Sequence, residues 1–133
     1  MLDWIKGLYD IANHFNEYAG VECNYDRDFP KDAEIEDFLR TYLMSLRTLQ
    51  LENRAEFALA FGQTEQILDS NGTNGIIGEW VAQVKFLTCL SHFVWSCWSV
   101  LQAANSEIDF DFASYAAARY ARYRLTKLTL LVV

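Results

Sequence analysis

A chain of 133 residues, 52% hydrophobic and 15% aromatic, has ample material for a core and does not have the composition of a disordered segment. Its net charge of −7 disfavours a phosphate backbone as partner, so nucleic-acid binding is not expected. The same acidity beside so many aromatic rings suits a cationic ligand, or simply keeps a hydrophobic chain in solution. The three cysteines, Cys23, Cys89 and Cys97, form no Cys-x-x-Cys pair. That pattern fits a reducing, cytoplasmic setting rather than a disulfide framework. Asp3 follows the start almost at once, so no secretory leader is expected there.

In chain order, residues 8 to 18 predict a helix whose apolar stripe is Ile11, His14, Phe15 and Tyr18, stopped by Gly20. Residues 21 to 31 are polar, carry alternating charge and hold the only proline, Pro30, so they read as a loop. Residues 33 to 50 give the clearest amphipathic pattern. Ile35, Phe38, Leu39, Tyr42, Leu43, Leu46 and Leu49 keep a 3.6-residue period. Asp32, Glu34 and Glu36 put negative charge at the helix N-terminus, where the dipole favours it. Residues 53 to 69 form a weaker helical candidate interrupted by Gly62, and residues 69 to 75 read as a loop with two Asn-Gly turn signals.

Residues 78 to 104 predict a long apolar helix, and residues 111 to 127 a last one bearing Tyr115, Ala116, Arg119, Tyr120 and Tyr123. Residues 107 to 110 read as a short extended link. From Trp80 to Leu101 the chain is long enough to span a bilayer, but Lys85 and His92 interrupt it, so a buried helix of a globular protein is expected instead. No strand, internal repeat or low-complexity tract stands out. The fold class is mainly α, in a single domain covering residues 1–133.

Two blocks resemble a known family. The first is Tyr9-Asp10-Ile11-Ala12-Asn13-His14-Phe15-Asn16-Glu17-Tyr18-Ala19-Gly20, and the second runs from Ser91 to Tyr123, with two tryptophans three apart and then a Tyr-Ala…Arg-Tyr pattern. Their order and spacing resemble the choline/ethanolamine kinases. Asn16 before Glu17, Tyr18-Ala19-Gly20 after it, and the Ile108-Asp109-Phe110-Asp111-Phe112 link lean toward the ethanolamine type. The resemblance implies the helical C-terminal lobe of a protein-kinase-like fold. It implies ATP- and Mg2+-dependent phosphorylation of ethanolamine or choline, on the route to phosphatidylethanolamine or phosphatidylcholine.

The resemblance also assigns residues. Trp95, Trp98 and Tyr115 match the family's ammonium pocket, since a cation over aromatic faces is stabilised by roughly 0.5–2 kcal/mol per contact. On periodicity alone they are a core stripe. Glu17 matches a glutamate near the bound aminoalcohol, or is an ordinary surface carboxylate. His92 reads as a core histidine with a satisfied ring. Asp10 matches the aspartate that steadies the catalytic loop, or is a plain N-cap of the first helix. Asp3 is a candidate Mg2+ ligand, although no glutamate follows it and its spacing to Asp10 is shorter than the family pattern.

Phosphoryl transfer also needs a phosphate cradle, a lysine on the phosphates and a base aspartate. The sequence has no His-x-Asp, and Gly72, Gly75 and Gly78 lack a following P-loop lysine. The expectation is a partial lobe without the nucleotide-binding lobe or catalytic loop, retaining part of the aminoalcohol pocket and inactive alone. The alternative is a non-catalytic binding or scaffold protein that pairs with a full-length kinase, as homo- or hetero-dimer, or holds a cationic ligand.

Overall fold

The computed structural model describes residues 2–52 and 73–131. Among them the elements are five helices: α1 (Leu2–Glu17), α2 (Tyr25–Asp28), α3 (Asp32–Glu52), α4 (Thr73–Asn105) and α5 (Phe112–Leu131). No strand occurs among the described residues, so the mainly α class stands. The chain divides into two compact units. One holds residues 1–8 and 30–83, the other residues 9–29 and 84–133.

In the first unit α3 behaves as its sequence dictates. Ile35, Leu39 and Leu43, one turn apart, are buried, and Phe38, Tyr42 and Leu46 are half-buried beside them. Leu49, expected on the same stripe, is exposed. Glu34 accepts from the Lys31 backbone N–H at 2.7 Å, which satisfies a donor ahead of the helix. Gly7 lies inside α1 where an added Cβ would sit 3.6 Å from the Tyr42 hydroxyl.

In the second unit α1 buries Ile11, Ala12, Phe15 and, just past its end, Ala19. The expected stripe is therefore half right. His14 and Tyr18 are exposed and meet each other instead, with ring centroids 5.2 Å apart. The small side chains of Ala12 and Ala19 set the buried face, and large-residue counting overlooked them. After Glu17 the chain turns. Gly20 donates its backbone N–H to the Glu17 carbonyl at 2.9 Å with φ of 53°, a left-handed conformation that glycine adopts without a Cβ clash.

Other boundaries also move. The first helix begins at Leu2 rather than residue 8, so Asp10 is an exposed mid-helix residue and not an N-cap. The loop expected over 21 to 31 contains the one-turn α2. The loop expected over 69 to 75 is helical from Thr73. Glycine weakens a helix by about 1 kcal/mol without forbidding it, and the run through Ile76 and buried Ile77 carries α4 back through Gly75 and Gly78. The helix and loop expected over 53 to 72 lie outside the described residues.

α4 is the longest element. From Gly75 to Asn105 it is long and apolar enough to cross a membrane, by length and composition only, and 44% of its apolar window is buried inside the protein. Val84, Leu87, Thr88, Cys89, Ser91, His92, Ser96 and Ser99 are its buried residues within the second unit. The link from Ser106 to Asp111 is not a plain extended stretch. It bends through short backbone bonds, Phe110 N–H to the Ile108 carbonyl and Phe112 N–H to the Phe110 carbonyl. Asp111 then accepts from the Ser114 N–H at 2.9 Å and caps α5.

Candidate functional site

The second unit gathers five aromatic rings at the junction of α4, the bent link and α5. Trp95 and Trp98 lie one turn apart on α4, with ring centroids 5.1 Å apart and edge-on. Trp98 meets Phe112 at 5.8 Å, Phe112 meets Phe110 at 4.9 Å, and Phe110 meets Tyr115 at 5.8 Å. Each contact is edge-to-face, the arrangement the ring quadrupoles favour. Trp98 is 41% exposed, while Trp95 and Tyr115 are half-buried. A simple core stripe would be buried throughout. This row is continuous and opens to solvent at Trp98.

Polar groups tie the row to α1. The Trp95 indole donates to Asn13 Oδ1 at 2.6 Å, and Ser91 donates its hydroxyl to the same oxygen at 2.9 Å. The other end of the Asn13 amide donates to Glu17 Oε1 at 2.7 Å. Arg119, 2% exposed on α5, donates to Ser91 Oγ at 3.1 Å and to the Tyr115 hydroxyl at 3.3 Å. Its guanidinium carbon also lies 5.8 Å from the ring centroids of both Tyr25 and Tyr115. Glu17, Trp95 and Tyr115 thus belong to one hydrogen-bonded row, and Trp98 joins it by ring contact.

Beside this row Tyr25, His92 and Arg119 form a buried cluster that is not set up for acid–base work. His92 meets the Tyr25 ring at 4.6 Å, and among the described residues its Nδ1 has no hydrogen-bond partner. Burial, then the nearby Arg119 and Arg122 cations, hold its pKa down at about 3. The histidine is a neutral core residue, as its sequence position suggested, but its ring is not satisfied at Nδ1. Burial pushes the Tyr25 hydroxyl up, although Arg119 opposes the shift. Arg122 bridges to Asp26 at 2.6 Å and lies over the Tyr25 ring at 5.4 Å.

Of the other sequence candidates, the Asp3 backbone belongs to α1, and its side chain lies outside the described residues. Among the described residues no three His, Cys, Asp or Glu side chains come together as a metal site. The described residues thus bring together no cluster that would hold Mg2+, and no chemical step is routed through one. The three cysteines are free thiols, with Cys97 exposed and Cys89 buried.

The residues that periodicity missed are Asn13, Ser91 and Arg119. Each was findable one helical turn from a named candidate: Asn13 before Glu17, Ser91 before Trp95, Arg119 after Tyr115.

The choline/ethanolamine kinase family profile matches residues 6–124. This chain belongs to the choline/ethanolamine kinase family. It is 38% identical over 120 residues to a probable ethanolamine kinase of Nematostella vectensis, a match covering 90% of this chain and 30% of that protein. To the ethanolamine kinase 1 of Mus musculus it is 34% identical over 116 residues, covering 86% of this chain and 27% of the relative. The ethanolamine kinase of Drosophila melanogaster is 35% identical over 130 residues, covering 97% of this chain and 21% of the relative. The chain thus spans less than a third of the length of these curated kinases, and its described helices are consistent with a helical portion of a kinase-like protein. No solved structure matches the chain.

Proposed function

We propose that this chain carries the ammonium-recognising part of an ethanolamine kinase, binding the aminoalcohol whose hydroxyl the whole enzyme phosphorylates with ATP and Mg2+. The observation that carries the reading is the continuous ring row from Trp95 to Tyr115, solvent-open at Trp98 and tied through Asn13 to the Glu17 carboxylate. Aromatic faces and one carboxylate are the groups a small organic cation needs. Trp95, Trp98 and Tyr115 are read as its walls and Glu17 as its counter-charge. Asp10 is read as support for the catalytic loop of the larger enzyme and Asp3 as a metal ligand there. The 133 residues contain no His-x-Asp and no phosphate-binding glycine loop with its lysine, so the chain by itself does not transfer phosphate. The setting is read as cytoplasmic, with α4 a helix of a globular protein rather than a membrane span.

Tryptophan emission tests the reading directly. Ethanolamine is expected to quench the purified chain saturably, and Trp98→Ala to weaken that response by about tenfold, the equivalent of one to two lost cation–π contacts. Choline titrated alongside identifies the preferred headgroup. A flat response to both ligands rejects the site.

A second reading has its own observation. Phe86, Leu90, Phe93, Val94, Cys97 and Leu101 are all exposed, at spacings that put them on one face of α4. In that reading the chain is a non-catalytic partner that lays this face against a full-length kinase or a second copy of itself.

A further inference from the structure

We propose that Asn13 is a positioning residue of the ammonium pocket, fixing the Trp95 indole with its amide oxygen and the Glu17 carboxylate with its amide nitrogen. The inference rests on reading Trp95, Trp98, Tyr115 and Glu17 as that pocket. The bonds themselves are short: 2.6 Å from the indole N–H, 2.9 Å from the Ser91 hydroxyl and 2.7 Å to Glu17 Oε1.

A carboxamide is the chemistry this place requires. Its oxygen has two lone pairs, and two donors use them. Its nitrogen faces a carboxylate. Rotating the amide by half a turn would set N–H against two donors and oxygen against an anion, so the orientation is held from both ends. An indole has one N–H and no other donor. Once that group is tied to Asn13, the Trp95 ring cannot swing without leaving its partner. Trp98 leans edge-on against Trp95 and inherits the restraint.

The same oxygen also begins a row that ends on the third wall of the pocket. Ser91 gives its proton to Asn13 and accepts from Arg119 at 3.1 Å, and Arg119 donates onward to the Tyr115 hydroxyl. The Asn13 oxygen is taken by two donors, and one N–H of its amide is taken by the Glu17 carboxylate. Asn13 acts through Glu17 and Trp95.

Positioning by Asn13 has a signature that a purely structural tie lacks. A primary ammonium makes directional N–H bonds and needs the carboxylate oxygen held in place. A quaternary ammonium has no N–H and feels mainly charge and aromatic faces. Freeing Glu17 therefore costs ethanolamine more than choline.

The experiment titrates ethanolamine and choline into the full chain, wild type, Asn13→Ala, Asn13→Asp and Trp95→Phe, following tryptophan emission. Indole N–H resonances of the 15N-labelled protein are recorded in parallel, and the signal lost in Trp95→Phe is that of Trp95. Asn13→Ala is expected to move the Trp95 signal upfield and to weaken ethanolamine by about fivefold, choline by less. Asn13→Asp keeps the accepting oxygen and serves if the alanine variant fails to fold. Its Trp95 signal stays near the wild-type position. Its added charge attracts both ligands alike, while the lost donor to Glu17 still lowers the ethanolamine-to-choline affinity ratio. A wild type that binds, with variants that keep both its affinity ratio and its Trp95 signal, overturns the role of Asn13 and leaves the pocket standing. A wild type that answers to neither ligand overturns the pocket and the role together.

Discussion

Arg119 and His92 show what burial does to single charges here. Arg119 is 2% exposed, yet among the described residues no carboxylate is hydrogen-bonded to it: two neutral oxygens accept from it, two tyrosine faces lie near it, and its Nε has no hydrogen-bond partner there. Desolvated aromatic faces are worth up to about 2 kcal/mol each to such a cation, enough to offset much of the cost of burial. His92, under the same field, stays neutral. Its folded pKa of about 3 lies below the ordinary 6.5, so between those values the unfolded chain binds a proton that the folded one does not. The contribution of His92 to stability is complete above pH 6.5 and is lost as pH falls toward 3. Between pH 7 and pH 5 the loss is up to about 2 kcal/mol, because each tenfold rise in proton activity below the unfolded pKa favours the protonated, unfolded chain by about 1.36 kcal/mol. Denaturant unfolding at the two pH values checks it: His92→Gln should flatten this part of the profile, and an unchanged slope would place the acid sensitivity elsewhere.

At the scale of elements, sequence legibility followed side-chain size. The face of α3 was readable because Ile35, Leu39 and Leu43 repeat at one-turn spacing and are the residues buried. α1 was half readable. Ala12 within it and Ala19 just past its end are buried, and a hydrophobicity count gives them less weight than His14 and Tyr18, which ended outside. Its start was misplaced because nothing in residues 2–8 breaks a helix strongly enough. The ring row was legible only in part. Resemblance supplied Trp95, Trp98, Tyr115 and Glu17, whereas Asn13 and Ser91 are small polar residues that periodicity treats as surface. Gly20 was read correctly as a stop, and its φ of 53° says why. No atom lies within 4 Å of where a Cβ would be, so Gly20→Ala meets backbone strain alone. The expected loss is about 1 kcal/mol, seen as a lower melting temperature with ligand response retained.

For the whole molecule, the unusual feature is how much apolar surface α4 leaves uncovered. Phe86 is 61% exposed and Leu101 62%, with Leu90, Phe93 and Val94 between them. A monomeric protein seldom shows so continuous an apolar face unless something covers it. Phe86→Glu together with Leu90→Lys is expected to raise solubility and abolish any self-association or kinase co-purification of the wild type. Sizing chromatography checks it, and a wild type that is strictly monomeric and captures no kinase counts against the partner reading.

The row from Glu17 to Tyr115 crosses three helices, and each helix contributes pairs set one turn apart: Asn13 with Glu17, Ser91 with Trp95, Tyr115 with Arg119. Such a row works like a vernier. One residue inserted within α5 between Tyr115 and Arg119 would carry Arg119 about 1.5 Å along the axis and about 100° around it relative to Tyr115, breaking the bond to Tyr115 or to Ser91. One residue added to the bent link before Ile108 changes no spacing inside any helix and none between Phe110, Phe112 and Tyr115. Length variation is therefore tolerated in the link and forbidden inside the helices it joins.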